Sequence, residues 1–305
     1  MTGWSVSAQR ISTRAWDWLD TMRERFALPV DLASWELNAV RHLQPLSELV
    51  LCGSIAIREG ALGSREARLA VELVDVAWAQ LREGDALLEM QHERLHDSLV
   101  LETYSPFVRA GYRHPRLEAL LTHLAGLRAA TAPEMVPDRA LGLINSRRLL
   151  GVPEPAHKAE LVARTWLGVT PEPWAADLLS LYAMTHTVFH LTDWGACPDG
   201  LPPELQDYLH AWLPAWLEVY VEIGHWDIVG EMLIVDLCLT EPDHPAAAWE
   251  SLRSAQQPDG LIPAEPGRPV EPGAKAFRAH YHSTVVGAIA GTLGLARRLE
   301  GAGAR

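Results

Sequence analysis

The stretch from Trp174 to Gly195 reads as a helix that is apolar on nearly every side, and such a helix is normally buried. Three polar residues nevertheless share one stripe of it. At about 100° per residue, offsets of four and seven place His186, His190 and Asp193 within about 60° of one another. Buried polar groups need partners, and a carboxylate near a helix C-terminus opposes the helix dipole at a cost of about 0.3–1 kcal/mol. The stretch therefore predicts a polar site that faces an interior cavity.

Apolar residues recur at helical spacing along the rest of the chain, whereas alternating Val/Ile/Thr runs and Asn-Gly turns are scarce. We expect an all-α protein with a single domain spanning residues 1–305, since no segment has the composition of a domain linker. Proline and glycine divide the chain into about twelve predicted helices. Their ranges are 8–26, 32–59, 64–83, 86–103, 115–130, 136–150, 156–168, 172–193, 202–222, 225–240, 244–256 and 273–299.

The predicted helices differ in how much of their surface is apolar. Three of them are apolar on most faces and three carry a charged side; the first set is 172–193, 225–240 and 273–299, and the second is 115–130, 156–168 and 244–256. Buried and amphipathic helices thus alternate along the chain. This alternation predicts an α/α toroid, in which an outer ring wraps an inner ring, with about six helix pairs of about 50 residues each.

One C-terminal motif supports that architecture. The segment 248–263 contains Gln256, Asp259 and Gly260, and it resembles the Gln-x-x-Asp-Gly-x-Trp turn of terpenoid cyclases and protein prenyltransferases, with the tryptophan missing. In those enzymes the turn leads from an outer helix of an α/α toroid into an inner one. The resemblance therefore implies the same toroid here.

A second motif, Tyr281-His282, resembles the Tyr-His inner helix of prenyltransferase β subunits. The resemblance implies that His282 is a zinc ligand, whereas His280 two residues earlier lies on nearly the opposite side of the helix. The same family completes its site with an Asp-x-Cys pair. Asp236 and Cys238 have that spacing, but side chains two residues apart within a helix diverge by about 200°, so we do not expect them to act together.

The whole chain also resembles an uncharacterised bacterial family of similar length from actinomycete biosynthetic gene clusters. That family shares the Thr-His-x-x-Phe-x-x-Thr-Asp-x-Gly stretch found at residues 185–195. The resemblance implies an enzyme of bacterial specialised metabolism and leaves its reaction open. The scarcity of lysine among 26 basic residues fits a high-GC bacterial genome.

The histidine stripe offers three interpretations. Two histidines four residues apart on a helix can bind one metal, and Asp193 could complete the set or orient an imidazole. Together with His282, the candidate metal ligands are His186, His190 and Asp193, and such a set suits zinc or iron better than magnesium. Alternatively the histidines act in metal-free acid–base chemistry or binding, with no cofactor, or they hydrogen-bond within the core.

Two carboxylates on the apolar helix 225–240 are further candidates. Asp227 and Glu231 share one face, and burial of carboxylates is costly unless they are paired, although it raises their pKa towards values useful in acid–base catalysis. Each could pair with a histidine, an arginine or a metal, and Asp227 could simply be a first-turn residue that the helix dipole favours. The catalytic candidates are His186, His190, Asp227, Glu231 and His282; weaker candidates for a cavity wall are Glu36, Asn38, Arg41, Glu48 and Asn145.

Asp227, Glu231 and His282 come early in their predicted helices, whereas His186, His190 and Asp193 come late in theirs. If the inner helices run parallel and begin at the same level, the two groups would differ in height by roughly 10 Å or more. The sequence therefore leaves open whether the candidates form one site or two.

The net charge of −13 argues against nucleic acid or an anionic membrane as partner. Three cysteines without a CxxC pair, and no signal peptide, predict a cytoplasmic protein. No diphosphate-binding aspartate motif, phosphate loop or Gly-x-Ser-x-Gly is present. We expect an enzyme that acts on a mostly apolar small molecule or a carrier- or peptide-bound intermediate; the alternative is a non-catalytic ligand-binding or partner protein of a biosynthetic complex. Oligomers and complexes are compatible with either.

Overall fold

The computed structural model describes residues 3–60, 64–95, 97–132, 134–152, 155, 157–265 and 273–303. In these ranges the protein is all-helical, without a β-strand, as the sequence predicts. The α-helices are α1 Gly3–Thr21, α2 Gln44–Glu59, α3 Arg65–Gln80, α4 Asp85–Glu93, α5 Leu99–Arg109, α6 Pro115–Ala125, α7 Pro137–Leu149, α8 Lys158–Ala163, α9 Trp166–Val169, α10 Leu178–Thr192, α11 Pro203–Ile223, α12 Trp226–Cys238, α13 Ala246–Ala255 and α14 Ala274–Gly303.

Most predicted helices differ from the observed ones by a few residues at their ends, and three of them differ in a way that the local contacts explain. The range 32–59 holds a short 3₁₀ turn and a π turn before α2 begins at Gln44, because Pro45 favours the first turn of a helix. The range 86–103 is two helices, α4 and α5, since the Gln91 side-chain amide donates to the carbonyl oxygens of Arg94 and Leu95 and satisfies them outside a helix. The range 156–168 is also two helices, because the Thr165 hydroxyl caps the start of α9.

Six of the helices contact one another in a closed cycle, in the order α2, α5, α7, α10, α12 and α14, with α14 returning to α2. The other eight helices pack around this six-helix ring: α1 on α14, α3 on α2, α4 on α5, α6 on α4, α8 on α7, α9 on α10, and α11 and α13 on α12. α1 approaches α14 closely at Gly291, where a Cβ would lie 2.8 Å from the carbonyl oxygen of Ala8.

Side-chain contacts fix the direction of the ring helices. Tyr182, early in α10, contacts Asp227, early in α12, and Gly195 just after α10 lies beside Cys238 at the end of α12. On the other side of the ring, Arg109 at the end of α5 contacts Asp193 at the end of α10. The ring helices therefore run parallel, so that their N-terminal ends lie together at one end of the ring.

Candidate functional site

The six-helix ring surrounds a cavity of about 650 Å³ whose walls come from all six of its helices. That volume lies in the range of small-molecule sites, about 300–1,000 Å³. Leu51, Ile234, Val285, Val286 and Ile289 form an apolar wall on α2, α12 and α14. The candidate catalytic residues His186, His190, Asp227, Glu231 and His282 all line the same cavity.

Three of these side chains converge. The Nε2 atom of His282 lies 3.5 Å from Oε1 of Glu231 and 3.8 Å from Oδ1 of Asp227, and the three ligand atoms lie within 4.8 Å of one another. Both carboxylates are buried in α12, one helical turn apart, while the His282 side chain is 39% exposed. The His282 side chain lines the cavity, so its exposed surface faces the cavity. The three residues form one cluster, called the carboxylate–histidine cluster below.

Neighbouring groups hold each member of the cluster from behind. Glu48 on α2 lies 2.7 Å from Nδ1 of His282. The Tyr182 hydroxyl donates to Oδ2 of Asp227, and the Thr185 hydroxyl donates to Oε2 of Glu231. These contacts leave Nε2, Oδ1 and Oε1 directed at one another.

Oδ1 of Asp227 is buried and has no hydrogen-bond partner among the described residues. Buried polar atoms in folded proteins almost always have partners. The unpartnered Oδ1 of Asp227 therefore remains available to bind a ligand within the carboxylate–histidine cluster.

The pKa values of the three cluster residues are shifted in different directions. Burial raises the pKa of Asp227, although the positive charge of His282 opposes the rise. Burial acts in the same direction on Glu231, but the imidazoles of His282 and His186 outweigh it, so the pKa of Glu231 is lowered. Burial acts to lower the pKa of His282, and the carboxylates, Glu48 foremost, overcome it and raise that pKa well above the usual range.

The charges around the cluster do not balance. Glu48, Asp227 and Glu231 contribute three carboxylates, and His282 is the cation placed among them. Excess negative charge out of bulk water is unfavourable unless it is neutralised. Either a proton on Asp227 or a bound cation can supply the neutralisation. The geometry is compatible with both.

His186 and His190 line the cavity beyond the cluster, with ring centroids 6.2 Å apart. Neither imidazole makes a hydrogen bond within the described part of the chain. Burial lowers the pKa of His190 to about 3, so this ring is neutral near pH 7. His190 lies against α7 at Gly142, where a Cβ would come 2.8 Å from its Nε2. His186 lies close enough to the cluster to influence Glu231, and His190 lies one helical turn further along α10.

Asp193 does not join the histidines. It follows the last residue of α10 in the left-handed conformation, with φ 48°, and this turns its side chain off the predicted stripe. Its carboxylate lies 2.5 Å from Arg109 and 2.9 Å from Arg148, and it accepts a hydrogen bond from Asn145. Burial acts to raise the pKa of Asp193, but the arginines outweigh it and lower that pKa to about 2. A carboxylate held in this way acts as a counter-ion at the C-terminal end of the ring, apart from the carboxylate–histidine cluster.

The paired residues of the prenyltransferase-like motifs also lie in different surroundings. His280 is buried, and its Nδ1 accepts a hydrogen bond from the backbone of Ala264, while His282 faces the cavity. Asp236 accepts hydrogen bonds from the backbone of Asp243 and His244, far around the helix from buried Cys238, so the two do not form a pair.

The turn at Gln256 has a structural role. Its side-chain amide donates to the carbonyl oxygens of Ile11 and Gly260, and it thereby ties the turn to α1. Gly260 has a φ of 99°, and a Cβ there would lie 2.0 Å from the carbonyl oxygen of Arg14. Only glycine fits this position.

The family described as "Domain of unknown function (DUF6895)" matches residues 12–292. The chain belongs to this family. The match includes α2, α5, α7, α10 and α12 in full and α14 as far as residue 292, together with every member of the carboxylate–histidine cluster. A comparison with curated proteins finds no match. A comparison with solved structures also finds none.

Within the described ranges, no helix combines the length and the apolar character that crossing a bilayer requires.

Some residues that support the cluster carry only a weak signal in the sequence. Glu48 is one of several polar residues in the range 32–59, and the structure brings it to the cavity, whereas Glu36, Asn38 and Arg41 do not line the cavity. Tyr182 and Thr185 carried a usable signal, because they precede His186 on the same apolar helix and add polar atoms to its buried face.

Proposed function

We propose that the protein is a metal-dependent enzyme, with Asp227, Glu231 and His282 as metal ligands and with its substrate in the ring cavity. The observation that carries this proposal is the convergence of three potential ligand atoms, each on a side chain that another residue holds from behind. A carboxylate that contacts the far nitrogen of a histidine ligand is a recurrent feature of metal sites, and Glu48 occupies that position.

The ligand set favours a borderline metal. One imidazole and two carboxylates suit zinc or iron better than magnesium, which is usually bound by oxygen alone. Three protein ligands leave positions on the cavity side for water or substrate. When bound, the metal supplies Lewis acidity and lowers the pKa of a bound water molecule. His186, beside Glu231 on the cavity wall, is the nearest imidazole that could move a proton to or from the substrate.

The cavity wall favours a mostly apolar substrate. Leu51, Ile234 and Val286 offer aliphatic surface next to the cluster, and Phe189 adds an aromatic ring. Apolar lining with a few converging polar groups is typical of small-molecule sites. We infer metal-assisted hydrolysis or oxidation of a small molecule, or of a carrier- or peptide-bound intermediate, in bacterial specialised metabolism. The last assignment rests on the sequence resemblances.

The proposed architecture is an α/α toroid like that of the terpenoid cyclases and protein prenyltransferases. The closed cycle of contacts among α2, α5, α7, α10, α12 and α14 supports it, since these helices alternate in sequence with the helices packed outside them. The common direction of the ring helices supports it as well. A toroid would explain why residues from distant parts of the chain line one cavity.

Metal-free acid–base chemistry, such as a cyclisation, is the second candidate. The opposite pKa shifts of Asp227 and Glu231 favour it, because they make Asp227 the more readily protonated carboxyl and Glu231 the more readily ionised one. Such a pair can donate a proton and accept another in the same cavity.

A metal measurement on untagged protein separates the two candidates. We expect close to one equivalent of a transition metal, and we expect that Asp227→Asn and His282→Ala each remove it. Asp207→Asn and His92→Ala are matched controls, because both residues are exposed and lie outside the cavity. Less than about 0.2 equivalents of any transition metal, combined with no calorimetric binding of zinc, iron(II) or manganese, would remove the metal proposal and leave the acid–base one.

A non-catalytic ligand-binding or partner protein is the remaining alternative. Trp174 and Leu179, near the start of α10, have 81% and 77% of their surface exposed, as a partner-binding protein would allow. If this alternative holds, Glu231→Gln changes ligand affinity or stability and abolishes no turnover.

A further inference from the structure

A second polar region of the cavity lies on the wall formed by α5 and α7, beyond the carboxylate–histidine cluster. Arg109 lines the cavity there with a side chain that is only 6% exposed. Two of its guanidinium nitrogens are occupied, by Asp193 at 2.5 Å and by the Ser54 hydroxyl at 3.3 Å. Its Nε is buried and has no hydrogen-bond partner among the described residues. An unpartnered charged donor in a cavity wall calls for an acceptor.

The net charge around Arg109 is positive, and it also favours a negatively charged acceptor. Arg58, Arg109 and Arg148 surround Asp193, and Arg58 also contacts Glu59 at 2.7 Å. Three guanidiniums therefore face two carboxylates, which leaves one positive charge uncompensated. The ring helices place their C-terminal ends here, and their dipoles stabilise the arginines in part. A helix dipole cannot satisfy the Nε–H of Arg109, whereas an anion can.

Two further groups extend the positive region along the same wall. Arg139 on α7 lines the cavity, paired with Glu102 at 2.8 Å. His190 lies close to both Arg109 and Arg139. Burial is the main cause of its lowered pKa, and the positive charges of the two arginines lower that pKa further. Its neutral imidazole makes no hydrogen bond in the described ranges, so it can donate one to a ligand without a competing partner.

We propose that this wall is an anion-binding subsite, in which Arg109 receives the anionic head group of an otherwise apolar ligand, such as a carboxylate on an aliphatic chain. Thr185 on α10 contacts the cluster, and Asp193, eight residues later and directly after the end of α10, contacts Arg109. At about 1.5 Å per residue, the head group lies about 12 Å from the cluster. The aliphatic wall of Ile234, Val286 and Ile289 borders the same cavity.

The ligand class is therefore an amphiphile with its anionic end at Arg109 and its apolar body extending towards Asp227, Glu231 and His282. Binding of the head group does not depend on any metal. The identification of this bound molecule as the substrate rests on the proposed function.

The test uses decanoate and 1-decanol as probes, with the full chain treated with EDTA, and follows binding by calorimetry and by tryptophan fluorescence, since Trp194 lines the cavity. We expect decanoate to bind at least about tenfold more tightly than 1-decanol, because a charge-assisted hydrogen bond forms at Arg109. In the metal-free protein the cluster is negative and repels a carboxylate, so the cluster cannot account for that preference.

Variants locate the head group. Arg109→Lys keeps the positive charge beside Asp193 but removes the Nε donor, and we expect it to weaken decanoate binding about tenfold without changing decanol binding. The Arg139 side chain is more exposed than that of Arg109. We therefore expect Arg139→Gln to weaken decanoate binding less, and the loss of affinity should become smaller as salt is added. Arg164→Gln removes an exposed arginine that does not line the cavity, and it should change neither affinity.

Equal affinity for decanoate and decanol overturns the subsite. So does decanoate binding that is insensitive to both Arg109→Lys and Arg139→Gln, or that requires added zinc and His282. If Arg109→Lys does not fold, as circular dichroism would reveal, Arg139→Gln decides alone. A protein that binds decanoate as expected but takes up no metal retains this subsite and loses only the metal proposal.

Discussion

Replacing Asp193 with asparagine removes one negative charge from the arginines at the C-terminal end of the ring and leaves the backbone unstrained. Asp193 has a φ of 48°, and asparagine tolerates this left-handed conformation well. A fall in the pKa of Asp193 from 3.8 to about 2 corresponds to about 2.4 kcal/mol of folding stability. The variant also leaves buried Arg109 without its counter-ion, and breaking a buried pair costs about 3–5 kcal/mol. We expect a loss of about 2–5 kcal/mol.

Urea unfolding followed by circular dichroism measures this loss, and its pH dependence has a definite sign. Because the folded-state pKa of Asp193 is depressed, its contribution is complete above about pH 5 and is lost as the pH falls towards 2. The stability difference between wild type and Asp193→Asn should therefore shrink over that interval. Asp193→Gly, which also suits the backbone, should match the asparagine variant, whereas Asp193→Ala should add about 1 kcal/mol of backbone strain. A loss below about 1 kcal/mol at pH 7, or a difference independent of pH, would refute the assignment of Asp193 as a counter-ion.

Two further predictions concern positions away from the arginines. Glu48→Gln should lower metal affinity about 10–100-fold without abolishing binding, because Glu48 orients a ligand and does not itself bind the metal; calorimetry measures the change, and an unaltered affinity contradicts that role. Gly291→Ala should destabilise the fold by about 1–3 kcal/mol, since its Cβ would lie 2.8 Å from the backbone of Ala8 and Ser12; an unchanged melting temperature would show that α1 can move away.

The sequence predicted the all-helical fold because its breaks follow proline and glycine, which act locally. It could not predict the break between α4 and α5, where the Gln91 side chain competes for backbone carbonyl groups. It also could not predict that α10 would end at Thr192, one residue before the carboxylate. That single residue in the left-handed conformation moves Asp193 from the histidine stripe to the arginines.

The composition of the candidate site was only partly predictable, for a geometric reason. Helical periodicity specifies which residues share a face but not the height at which neighbouring helices meet. Ideal registers implied a separation of roughly 10 Å between the early and late candidates. In the structure α10 begins at Leu178 instead of residue 172, so Thr185 is only its eighth residue and lies level with Glu231, the sixth residue of α12. His186, next to Thr185, therefore lies near the early candidates. The partnership of Glu48 with His282 spans 234 residues of chain, beyond any local pattern.

Asp227 and Asp193 are both buried carboxylates, and the structure gives them opposite roles that one experiment can distinguish. Asp193 is surrounded by positive charge, which lowers its pKa, whereas burial and the nearby Glu231 raise the pKa of Asp227. In metal-free protein, Asp227→Asn should therefore be neutral or stabilising, because it relieves a buried carboxylate, while Asp193→Asn destabilises.

Metal should reverse this order for Asp227. A ligand at about 100 times its dissociation constant stabilises the folded state by about 2.7 kcal/mol, and we expect zinc or iron(II) to stabilise wild type in this way and to leave Asp227→Asn unchanged. Asp193→Asn should respond to metal as wild type does, since its carboxylate lies at the other end of the ring. Melting curves with and without metal measure all three proteins. If Asp227→Asn is destabilised in metal-free protein as strongly as Asp193→Asn, the Asp227 carboxylate stabilises the fold without metal. Asp227 is then a structural residue, because a buried carboxylate whose role is to bind metal is expected to lower the stability of the metal-free protein.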